Sequence, residues 1–208
     1  MPLDSIPIPG GSLEAMLEMP AHARGLIVFA HGAGSSRLSP RNVRVAEYLR
    51  STGEFGTLLF DLLTAEEDRS YENRFDIGLL TNRLVAAIEW ARARPECGDC
   101  PIALFGASTG AAAALRAAAS QPDVVKAVVS RGGRPDLAGD ALARVRVPVL
   151  LIVGGADDAV ITLNEQARRR LSARSELVVV PGATHLFEEP GTLDQVERET
   201  LAFLRTEL

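Results

Sequence analysis

A serine, an aspartate and a histidine stand in this chain where each could take one part in acyl transfer. Ser108 sits in Gly106-Ala107-Ser108-Thr109-Gly110, a G-x-S-x-G pattern that directly follows the apolar run IALF. A serine hydroxyl is a poor nucleophile near neutral pH, so it needs a base and an exposed, sharply turned position from which to attack. Glycines two residues to either side relieve crowding where a strand and a helix meet around such a turn. Asp157 follows VLLIVGG, and His185 follows ELVVVPGA. His185 is the candidate base for Ser108 and the later proton donor to the leaving group. Asp157 is the candidate for fixing the imidazole tautomer and stabilising its charged form. A lone G-x-S-x-G arises by chance in alanine- and glycine-rich sequence. Three such residues in this order, each after its own apolar run, separate this chain from coincidence.

An oxyanion formed at Ser108 needs donors. The helix expected from Thr109 would aim its N-terminus and the Thr109 amide at the space above Oγ. The second donor is expected from His31-Gly32-Ala33-Gly34, which follows LIVFA, and the Ala33 amide is the choice.

The elements that must position these groups follow from the hydrophobic pattern. Residues 12–19 alternate, with Leu13, Ala15, Leu17 and Met19 apolar, as in a half-buried antiparallel edge strand. Short continuous apolar runs come next: LIVFA, TLLF, IALF, VVKAVVS, VLLIV and ELVVV. Runs without alternation suit parallel strands buried on both faces. Helical spacing lies between them at residues 42–50, 77–93, 109–120, 163–171 and 193–204. The expected fold is therefore α/β, a mostly parallel doubly wound sheet with an antiparallel N-terminal edge, in one domain over residues 1–208. Ligands of such sheets bind beyond the carboxyl ends of the strands, where Ser108, Asp157, His185 and HGAG all fall.

With these residues in hand, the chain resembles the α/β-hydrolase superfamily, and within it the small dienelactone-hydrolase-like branch. The likeness runs from HGAG through GASTG and VGGADDAV to PGATHLFEEPG. It implies a metal-free, cofactor-free hydrolase of esters or related acyl compounds, with Ser108, Asp157 and His185 as the triad. It also implies Asp157 rather than Asp158 as the acid, because members place an apolar residue three positions later, here Val160. Dienelactone hydrolases themselves carry cysteine as nucleophile, so Ser108 shifts the expectation toward a serine carboxylesterase.

Composition narrows the remaining choices. A net charge of −5 over 208 residues leaves no basic footprint for nucleic acid. No apolar run reaches the ~20 residues that cross a bilayer, and the N-terminus lacks the basic and apolar regions of a signal peptide. A cytoplasmic enzyme without membrane or nucleic-acid partners is expected; self-association is not readable. Cys97 and Cys100 form a single C-x-x-C ahead of a strand, without the further ligands of a zinc site, and read as loop thiols. His31 reads as a brace for its loop and His22 as solvated surface. GAGSSR has Arg37 where a dinucleotide fingerprint needs its third glycine, which disfavours a phosphate cradle.

Substrate clues are fewer. The connection RGGRPDLAGDALARVRV is too short for a lid domain, so the site is expected to be open and suited to small soluble esters or lactones. The loop TAEEDRSYENRFD (64–76) is expected to shape it. Arg131, at a strand end, is a candidate to hold a substrate carboxylate in a bidentate pair. Two other readings stand beside hydrolysis: acyl transfer or perhydrolysis through the same acyl-enzyme, and a catalytically silent binding module of this fold.

Overall fold

Strand after strand, the apolar runs assemble into one eight-stranded sheet. The computed structural model describes residues 3–208. The strands are β1 (Asp4–Ile8), β2 (Gly11–Glu18), β3 (Gly25–Ala30), β4 (Phe55–Phe60), β5 (Ile102–Ala107), β6 (Val125–Arg131), β7 (Val149–Gly154) and β8 (Ser175–Val180). Their order across the sheet is β1-β2-β4-β3-β5-β6-β7-β8. The first three neighbours pair antiparallel, and all pairs from β4 to β8 are parallel.

Among the described residues, five α-helices cover the sheet: α1 (Pro40–Ser51), α2 (Ile77–Arg92), α3 (Thr109–Ser120), α4 (Asp158–Arg170) and α5 (Thr192–Glu207). The period-2 side-chain alternation of a strand divides each apolar run between two cores. Leu26, Val28 and Leu104 pack with α2 and α3 on one face, while Ile27, Phe29 and Phe105 pack with α1 and α5 on the other. Strands β3 to β7 are buried along almost their whole length, which is why they read as continuous runs. Among the described residues no helix is long and apolar enough to cross a membrane.

Three elements differ from the sequence reading. The antiparallel edge is a hairpin in which β1 lies outermost. Pro7 within its short run argues against a strand, yet a proline is tolerated on an edge, and the Pro9-Gly10 turn, with Gly10 at φ 84°, returns the chain into β2. Helix α1 starts at Pro40 rather than Asn42, because proline at the first helical position loses no internal hydrogen bond. Helix α4 starts at Asp158, five residues before the expected 163, so Asp157 is its N-cap.

The connection from β6 to β7 holds only a 3-10 segment, Pro135–Arg144, kinked at Gly139 and packed on α3 and α4. No lid covers the carboxyl edge there. Strand β4 lies on one side of β3 and β5 on the other, so the loops leaving β3 and β5 diverge and open a crevice between them.

Candidate active site

The local fold around Ser108 follows from its glycines. Ser108 has φ 50° and ψ −121°, a conformation that costs a non-glycine residue about 1–3 kcal/mol. A Cβ on Gly106 would lie 2.7 Å from the Ala111 amide, and one on Gly110 would lie 2.5 Å from the His31 carbonyl oxygen. Only glycine lets α3 press this closely on the ends of β5 and β3, and the buried alanines 111–114 continue that close approach. The turn is also tied sideways. The Ser108 carbonyl accepts from the amides of Ala111 at 3.1 Å and Arg134 at 3.0 Å. Together these contacts hold the strained serine at the start of α3.

The Asp157 carboxylate does not cap its own helix. Its Oδ2 lies 2.8 Å from His185 Nδ1, an orientation that leaves Nε2 as the nitrogen available for a second partner. Asp158 is exposed in the first turn of α4, and the carboxylate that the structure brings to His185 is that of Asp157. The two loops carrying them are stitched by Gly155 N–H to the Val180 carbonyl at 2.8 Å and Ala156 N–H to the Ala183 carbonyl at 2.9 Å. Glu189 closes the histidine loop by accepting from Thr184 N–H at 3.0 Å and Thr184 Oγ1 at 2.6 Å, bonds that lower its pKa.

Ser108 and His185 open on one cleft of about 200 Å³, which Ala33, Arg131, Ser39 and Arg41 also line. A larger hollow of about 460 Å³ lies beyond the His31 loop, walled by Arg37, Asp61 and the 64–76 loop. That loop therefore shapes the neighbouring hollow and is absent from the lining of the Ser108 cleft, contrary to the sequence expectation. The Arg74–Asp68 pair closes the loop on itself, and the Glu67–Arg83 pair ties it to α2.

The two candidate oxyanion donors are arranged differently from each other. Thr109 opens α3, and its amide has no acceptor among the described residues. The Ala33 amide donates to Thr109 Oγ1 at 2.9 Å, so the second expected donor is already engaged. The sequence could not show this, because it depends on which way the buried Thr109 side chain turns.

His31 braces the loop, as expected. Its Nε2 accepts from the Leu62 amide at 3.0 Å, which makes Nδ1 the protonated nitrogen, donating to the Gly32 carbonyl at 2.9 Å. Burial lowers the His31 pKa from 6.5 against smaller opposing effects of the Gly32 carbonyl and the Asp61 and Asp68 charges. Below about pH 6.5 the unfolded chain therefore binds a proton that the folded chain refuses. The contribution is complete above that pH and is lost as pH falls. Calorimetric midpoints should drop as pH falls below about 6.5, and His31→Gln should flatten that slope; an unchanged slope would place its origin elsewhere.

Arg131 ends β6 almost fully buried, at 6 % exposure, and lines the cleft. Its guanidinium donates to Asn42 Oδ1 at 3.3 Å and lies 5.7 Å from the Phe187 ring centre. No carboxylate pairs with it among the described residues. Burial, and secondarily the Arg41 charge, pushes its pKa down to about 10, which leaves it cationic at neutral pH. Sequence reasoning missed Arg41, Ser39 and the left-handed Phe187, at φ 56°. The pair Ser39-Pro40, a helix-start signature, was the signal that would have brought Arg41 into the first turn of α1.

Cys97 and Cys100 are free thiols in the turn before β5. Burial pushes the Cys97 thiol up to about 11, which suppresses the reactive thiolate at neutral pH.

Comparison with known proteins places this geometry in a lineage. A dienelactone hydrolase crystal structure from Anabaena variabilis is 48 % identical and superposes with a TM-score of 0.96, over 99 % of this chain and 97 % of that one. An α/β serine hydrolase without lid from Xanthomonas campestris, at 24 % identity and TM-score 0.80, covers 100 % of this chain and 94 % of its own and shares the fold. A putative phosphoribosyl transferase of Mycobacterium tuberculosis is 57 % identical over 182 residues, which is 88 % of this chain and 41 % of that protein. The chain thus spans less than half the length of that curated relative. The model of the dienelactone hydrolase family matches residues 14–205. The chain accordingly belongs to the dienelactone hydrolase family of α/β-hydrolases.

Proposed function

We propose that this hydrolase cleaves carboxylic esters or lactones of small soluble molecules through a serine acyl-enzyme. The observation that carries the reading is the strained Ser108 turn sharing one cleft with His185, whose Nδ1 is held by Asp157. Nε2 of His185 takes the proton as Ser108 Oγ attacks the carbonyl carbon. The C–O bond to the alcohol then breaks, and His185 returns the proton to the departing oxygen. Water enters by the same route in reverse and releases the acid.

The Thr109 and Ala33 amides are the oxyanion donors of this scheme. Thr109 Oγ1 holds the Ala33 amide in place in the free protein and shares that donor with the oxyanion as charge develops. Arg131 favours substrates that carry a negative charge away from the reacting carbonyl. The route employs no metal and no cofactor. Acyl transfer or perhydrolysis would use the same acyl-enzyme and differ in the molecule that resolves it. Phosphoribosyl transfer is not carried over to this chain, since the matching stretch is only 41 % of the relative bearing that name.

A screen on short-chain p-nitrophenyl esters, with and without a fluorophosphonate, tests the reading. Turnover is expected to be abolished by stoichiometric labelling, and the label is expected on the Ser108 peptide. A protein that neither turns over these esters nor takes the label would be a silent member of its fold.

A further inference from the structure

The Ser108 cleft holds more positive charge than an ester alone requires. Among the described residues Arg131 is a buried cation whose guanidinium meets Asn42 and no carboxylate, and its Nε has no hydrogen-bond acceptor. An uncompensated buried charge is strongly destabilising, and a protein keeps one where something bound supplies the missing partner. Arg41 lines the same cleft, and among the described residues its only ion-pair partner is Glu188, a carboxylate 64 % exposed. The weak hold of such an exposed pair leaves Arg41 free to bind another anion.

The first turn of α1 adds donors to the two guanidinium groups. Ser39, at the N-cap, lines the cleft, and its hydroxyl makes no capping hydrogen bond. Pro40 has no N–H, and the amides of Arg41 and Asn42 have no acceptor among the described residues, the first internal bond of the helix being Val43 N–H to the Ser39 carbonyl. A helix of 12 residues thus brings its positive end toward the cleft beside two arginines.

Resting on the hydrolase reading above, we propose that Arg131, Arg41, Ser39 and the opening turn of α1 form a subsite for the phosphate monoester of a phosphorylated ester substrate. A carboxylate offers two oxygens and one charge, enough for one guanidinium fork. A phosphate monoester offers three oxygens and close to two charges, and so answers both arginines and the hydroxyl. The phosphate serves as a handle. The bond that breaks is the acyl C–O bond, water supplies OH to the acid and H to the alcohol, and the P–O bonds stay intact. Binding at the handle, remote from the carbonyl, supports positioning of the ester over Ser108.

Calorimetric titration with inorganic phosphate tests the subsite without reference to activity, and kcat/KM on 1-acetylglycerol 3-phosphate, neutral 1-acetylglycerol and 3-acetoxypropanoate tests its use. Inorganic phosphate is expected to bind, and to compete with p-nitrophenyl acetate. Arg41→Gln and the charge-keeping Arg131→Lys should each weaken phosphate about 10-fold or more and cut the phosphorylated-to-neutral ratio about 10- to 100-fold. Arg41 is partly exposed, so its variant remains informative if the buried one fails to fold. Ser108-dependent cleavage of the neutral ester, with no phosphate binding or no gain for the phosphorylated ester, would overturn the subsite and leave the hydrolase standing. A preference for 3-acetoxypropanoate would overturn the choice of phosphate. Phosphate binding that depends on both arginines, in a protein that cleaves no ester, would support the subsite and remove the hydrolase reading.

Discussion

Replacing Ser108 by alanine is expected to lower kcat on a short p-nitrophenyl ester by about four to six orders of magnitude while the protein stays folded. Alanine removes only the hydroxyl oxygen. The backbone of the turn is held by the Ser108 carbonyl, which accepts from Ala111 and Arg134, and both bonds survive the change. His185→Ala should cost a similar factor, since a base without a nucleophile and a nucleophile without a base are equally idle. The double variant should lose little more than either single one, because the residues act as a unit. Thermal midpoints measured alongside separate chemistry from folding. Turnover in Ser108→Ala within tenfold of the native protein would sink the acyl-enzyme mechanism.

Asp157→Asn is expected to lower kcat by about 10³- to 10⁴-fold. The carboxylate Oδ2 accepts from His185 Nδ1 at 2.8 Å, which in the proposed mechanism leaves Nε2 to receive the serine proton. An asparagine can present its amide N–H to Nδ1 instead, fixing the opposite tautomer, and it supplies no negative charge to an imidazolium. Asp158→Asn should change kcat by less than about twofold, because that side chain is exposed and touches no member of the site. The reverse ranking in a paired kinetic comparison would assign the acid to Asp158.

Much of this arrangement was legible in the sequence because its causes are local. The glycines flanking Ser108 are demanded by packing that any chain with this turn must solve. The continuous apolar runs of β3 to β7 announce strands buried on both faces. Features that stayed hidden depend on groups far apart in sequence. That Arg131 meets Asn42 and no carboxylate among the described residues, in a chain with 27 acidic residues, is a fact about where those acids are not. The Thr109 hydroxyl reaches Ala33 only because β3 and β5 are neighbours in the sheet. Strand β1 was obscured by Pro7, which weakens a strand reading without forbidding an edge position.

The order of the site residues along the chain has a consequence for biosynthesis. Ser108 leaves the ribosome with β5, whereas His185 follows β8, after three further parallel strands have been made. At ~5–20 residues per second the interval between serine and histidine is roughly 4–15 s. Throughout it the nascent chain carries the proposed nucleophile without its proposed base, and Phe29 and Phe105 await the cover that Leu193, Val196 and Leu204 of α5 provide. On the proposed mechanism, turnover would have to wait until β8 has docked and brought His185 beside Ser108.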